Sequence, residues 1–71
     1  PSKLTPGDFN NICVAYAVNK EFSKAFEACS TAQVQAKATR GFPRSGLKDI
    51  MSNLSIVSGK VSSLAMVSSK D

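Results

Sequence analysis

The chain has 71 residues, of which 42% are hydrophobic and 20% charged, with nine cationic and five acidic side chains, two cysteines and no histidine. A chain this short makes one domain and buries only about 60% of the surface its unfolded form exposes, which argues against a large enclosed active site. The balance of apolar and charged residues is that of a folding globular chain, not of a disordered one.

The chain opens PSKLTPGDFN with no initiator methionine, which points to a piece of a longer protein. It shows neither a basic start followed by an apolar run nor an 18-residue apolar stretch, so no signal peptide or membrane span is expected.

The first element is a helix over about 6–18. Thr5 can cap it, Pro6 suits the first helical position, and Asp8 completes a Thr-x-x-Asp box at the positive end of the dipole. Phe9, Ile12, Cys13, Tyr16 and Ala17 recur at helical spacing and form one apolar face. Asn19, tolerant of a left-handed backbone, is a natural stop and a candidate cap for the next segment.

A second helix is expected over about 20–39, with Phe22, Ala25, Phe26, Cys29, Ala32 and Ala36 on one side. Gly41 is placed to end it in a left-handed conformation, Phe42 to supply a hydrophobic contact, and Pro43 to prevent continuation.

The third helix is expected over about 46–67, capped by Ser45. Leu47, Ile50, Leu54, Val57, Val61 and Leu64 alternate in steps of three and four and form a helical seam. Gly59 costs roughly 0.8–1.0 kcal/mol inside a helix, and SIVSGKVSS could fold as a hairpin around it. Helix is the better reading, because it gathers Leu54, Val57, Val61 and Leu64 on one face. Three helices with short connections predict a small all-α three-helix bundle in a single domain.

Cys13 and Cys29 fall nearly opposite each other across the first two helices. Packed helices usually lie about 8–10 Å apart, whereas a disulfide needs Cα atoms about 5.5–6 Å apart. Small neighbours such as Ala17 and Ala25 would have to permit the closer contact. Buried free thiols are therefore expected, which favours a reducing, intracellular (cytoplasmic or nuclear) compartment. Two cysteines alone do not complete a zinc site, and the lack of histidine removes the commonest general base. The expectation is a protein with no catalytic residue, metal or cofactor. The aromatic residues Phe9, Tyr16, Phe22 and Phe26 read as core.

Charge gives the clearest functional hint. Outside residues 37–48, five lysines balance five acids, so the whole excess of +4 lies on Lys37, Arg40, Arg44 and Lys48. These side chains straddle the turn between the second and third helices, with Phe42 among them either as a staple or as a projecting anchor. Ser52, Ser55, Gly59 and Ser62 form a stripe of small residues on the third helix, and Ile56 and Val67 point away from its seam.

The resulting expectation is a protein–protein interaction module. An acidic or amphipathic helical segment would dock on a basic-rimmed groove of helices two and three, touching Lys37, Arg40, Phe42, Arg44, Lys48, Ser52 and Ile56. The alternatives are a nucleic-acid-binding domain resembling a helix-turn-helix, and a self-association domain with the third helix as its seam. Asp49 early in the third helix and the scarcity of base-reading side chains there disfavour the first of these. In size and helical class the chain is similar to the small terminal domains by which phosphoproteins of negative-strand RNA viruses dock onto a nucleocapsid. That is a likeness of fold class, carried by no signature residues.

Overall fold

The computed structural model describes the backbone from Lys3 to Lys70 and the side chains from Lys3 to Ser62. Three helices follow one another: α1 over Pro6–Val18, α2 over Phe22–Ala38 and α3 over Arg44–Lys70. The expected all-α three-helix bundle is what forms. At about 1.5 Å per residue α3 is roughly 40 Å long, which accounts for most of the 45 Å long axis of the molecule. Gly59 lies inside α3 and does not open a hairpin. The side chains of Leu64 and Val67 lie outside the described residues.

The start of α1 follows its sequence signals. The Asp8 backbone N–H donates to Thr5 Oγ1 at 3.1 Å, and the Thr5 N–H donates to Asp8 Oδ2 at 2.8 Å, closing a capping box ahead of Pro6. The end of α1 departs from expectation. Asn19 is the C-cap with φ −86°, and the left-handed residue is Lys20, at φ 63°. Glu21 N–H donates to Tyr16 C=O and Lys20 N–H to Ala17 C=O, the paired bonds of a Schellman ending. That ending usually holds glycine, and a lysine there costs about 1 kcal/mol. Asn19 uses its side chain to donate to the Glu21 carboxylate at 2.7 Å, so it does not cap α2.

The connection from α2 to α3 is tight. Phe42 N–H donates to Thr39 C=O, and Gly41, at φ 79°, occupies the third position of that turn. Pro43 C=O accepts the first bond of α3 from Leu47 N–H, which places Ser45 within the first helical turn, not at the cap.

Packing centres on α2. Its face of Ala25, Ala28, Cys29, Ala32 and Ala36 is buried against both α1 and α3. Cys13, Ala25, Ala28, Cys29 and Val57 form one core cluster, sealed by Ile12, Tyr16, Ala17, Leu54 and Val61. Ala32, Ala36 and Ile50 form a second, sealed by Phe9, Phe42 and Leu47. Phe26 was expected in the core but is 38% exposed, because the side of α2 that meets its neighbours is the alanine and cysteine side.

The free-thiol expectation is overturned. Cys13 and Cys29 are disulfide-bonded, fully buried, with Cα atoms 5.2 Å apart. Cα atoms stand about 2.3 Å off a helix axis, so facing Cα atoms 5.2 Å apart fit ordinarily packed helices, and the small side chains of Ala17, Ala25 and Ala28 surround the bond. The bond ties residues 16 apart in sequence, and closing a loop of that size restricts the unfolded chain by about 3 kcal/mol.

Replacing both cysteines by alanine is expected to lower the unfolding free energy by about 3 kcal/mol, measured by urea denaturation. Glycine-to-alanine changes should have opposite signs at two positions. Gly59→Ala meets no atom within 4 Å and should stabilise by roughly 0.8–1.0 kcal/mol, whereas Gly41→Ala forces a positive φ and should destabilise by about 1 kcal/mol.

Candidate functional site

The seven residues expected at a partner site are not all brought together. Arg44, Lys48, Ser52 and Ile56 stand four residues apart on α3 and share one open furrow with Leu47, Met51 and Ser55. Lys37 and Arg40 are exposed at the end of α2 and in the turn, and do not line that furrow. Phe42 is half-buried against Ala32, Ala36 and Ile50, and its ring lies so close to Gly46 that an added Cβ would come within 3.1 Å of it. Phe42 is thus the staple of the turn.

The groove expected between helices two and three does not form there, because Ala32 and Ala36 of α2 pack directly on Ile50 and Leu47 of α3. The furrow belongs to α3 alone, and its small residues Ser52 and Ser55 are exposed. Neither α1 nor α2 covers it. Ile56 is 63% exposed and Met51 45%, so the middle of the furrow is apolar and its Arg44–Lys48 end is cationic.

Sequence reasoning missed a second feature. A cleft of about 380 Å³ opens between α1 and α3, beside the start of α2. Val14, Ala17 and Val18 of α1, Phe22 of α2, and Ile56 and Val57 of α3 form its walls, beside the buried Cys13. Lys20, Lys60 and Asn53 are its polar lining, with no carboxylate among the lining residues. Asn53 is already engaged, its side-chain N–H donating to Asn10 Oδ1 at 3.1 Å across the α1–α3 contact. Ile56 borders both cleft and furrow. Val14, at 42% exposure, and Val18, at 78%, lie off the apolar face that the spacing assigned to α1. The signal available in the sequence was that CVAYAV is apolar nearly all round, more than one buried face needs.

Glu21, the acid adjacent to Lys20 in the chain, is occupied: it pairs with Lys24 at 3.3 Å and accepts from Asn19. The Asn19 hydrogen bond first, and then Lys24, hold the Glu21 carboxyl below its usual range. Among the described residues, Lys20 and Lys60 have no carboxylate partner. The two cysteines are committed to their disulfide, and no group of three potential metal-ligating side chains comes together among the described residues. Among those residues, too, no helix is long and apolar enough to cross a membrane.

Compared with protein-family models, curated proteins and solved structures, the chain matches none. The functional reading therefore rests on its own residues.

The Glu21 carboxyl should titrate below the ordinary glutamate range in an NMR pH series. Because the shift is downward, its contribution to stability is complete above that range and is lost as pH falls through the lowered midpoint. Asn19→Ala should move the midpoint back up toward the ordinary glutamate range.

Proposed function

We propose that this protein is a non-catalytic interaction module that docks an acidic amphipathic helix along α3. The observation that carries the reading is the furrow itself, in which exposed Met51 and Ile56 continue from Arg44 and Lys48 on an uncovered helix face. Exposed serines at positions 52 and 55 present little bulk, so a second helix can lie close. The partner's apolar side would cover Ile56 and Met51, and its carboxylates would meet the two cations. Lys37 and Arg40 add long-range attraction from beyond the furrow.

Nucleic acid fits this surface less well, since phosphates gain nothing from Met51 and Ile56 and only two cations line the furrow. A second copy of the chain fits less well again, because each copy would bring the same cationic end and the same net charge of +4. The disulfide supports an oxidising compartment, in which such bonds persist. This removes the argument for an intracellular location, which rested on free thiols, and weighs against the analogy with nucleocapsid-docking domains.

An acidic, leucine-bearing helical peptide titrated into the labelled, oxidised protein should shift resonances of Arg44, Lys48, Met51, Ser52 and Ile56. The double change Arg44→Glu and Lys48→Glu should weaken binding about tenfold or more, and Lys37→Glu with Arg40→Glu much less. Shifts confined to residues 37–44, produced by single-stranded RNA with no response to the peptide, would refute the reading.

A further inference from the structure

We infer that the cleft between α1 and α3 binds a single-chain alkyl carboxylate, with the chain on the aliphatic walls and the carboxylate at Lys20 and Lys60. The size of the cleft, about 380 Å³, lies in the range of small-molecule sites, and its walls are mostly aliphatic. Val14, Val18 and Ile56 stand substantially in water while facing one recess, so an alkyl chain would remove apolar surface from solvent on both sides of it.

The polar lining selects the head group. Lys20 and Lys60 supply positive charge, and no lining residue supplies negative charge. The one neutral polar side chain there, Asn53, spends one of its two N–H donors on Asn10, leaving a single N–H and its Oδ1. Few hydrogen-bonding groups are left for a peptide backbone or a sugar, whereas an alkyl chain needs none.

Lys20 holds the left-handed position of the Schellman ending of α1, which sets it on the rim of the cleft. Glycine or asparagine would be less strained there, so the lysine is replaceable without harm to the fold. Apart from Ile56, the residues involved are not those of the α3 furrow, so this inference and the docking of a helix stand or fall separately.

Dodecanoate, titrated below its micelle-forming concentration into the labelled, oxidised protein, should give saturable one-to-one shifts at Val14, Val18, Phe22, Ile56 and Lys60. Lys20→Asn should raise the unfolding midpoint, because asparagine tolerates the positive φ, and should weaken dodecanoate binding at least fivefold without changing the binding of dodecanol. Val18→Asp should weaken binding of both, with helicity checked by circular dichroism. If Val18→Asp unfolds the chain, the Lys20→Asn comparison decides alone. Absence of saturable binding, undiminished dodecanoate affinity in Lys20→Asn, or shifts produced only by anionic phospholipid vesicles would overturn the inference.

Discussion

The close approach of α1 to α2 organises this molecule. At Cys13 and Cys29 the backbones are 5.2 Å apart between Cα atoms, a spacing that the surrounding alanines make sterically possible and the covalent bond makes permanent. α1 is thereby fixed to α2 more firmly than to α3, which it touches little. The Asn10–Asn53 hydrogen bond is the one side-chain bond spanning α1 and α3 among the described residues. All three helices meet at the cluster of Cys13, Cys29 and Val57, and the cleft opens beside it, between α1 and α3.

The same constraint decides which surfaces remain open. α2 spends its small-residue face on both neighbours, leaving Phe26 and Val34 outward. α3, packed through Ile50, Leu54 and Val57, keeps its opposite face uncovered over Lys48, Ser52 and Ile56. Docking surface and cleft are thus two margins of one helix, joined at Ile56.

Much of this architecture is legible in the residues. Thr5, Pro6 and Asp8 announce the start of α1 through local chemistry, and the three-and-four spacing from Leu47 to Val61 keeps α3 helical across Gly59. The errors arise where tertiary geometry overrides local rules. An Asn-Lys pair would ordinarily give the left-handed position to Asn19, but Lys20 takes it. A phenylalanine at helical spacing reads as core, yet Phe26 is displaced by smaller residues that allow closer packing. The argument against the disulfide fails because it compares an axis-to-axis distance with a Cα-to-Cα one, although the opposed positions of Cys13 and Cys29 and their small neighbours Ala17 and Ala25 are visible in the sequence. Of the site, the Arg44–Ile56 stripe is visible as helical phase. The cleft is not, because its walls come from three separate helices and exist only once these have packed.

A core made mainly of alanine and cystine has a thermal consequence. The heat-capacity change of unfolding scales with the apolar surface exposed, and small side chains expose little of it. The curve of stability against temperature should therefore be shallow in this protein. The cross-link acts chiefly by limiting the entropy of the unfolded chain, and that contribution does not fade on cooling in the way hydrophobic burial does. A fold built in this way exchanges a high maximum of stability for a broad one, and keeps its helices together over a wider span of temperature than its few large buried side chains, Ile50 and Val57 among them, would sustain alone.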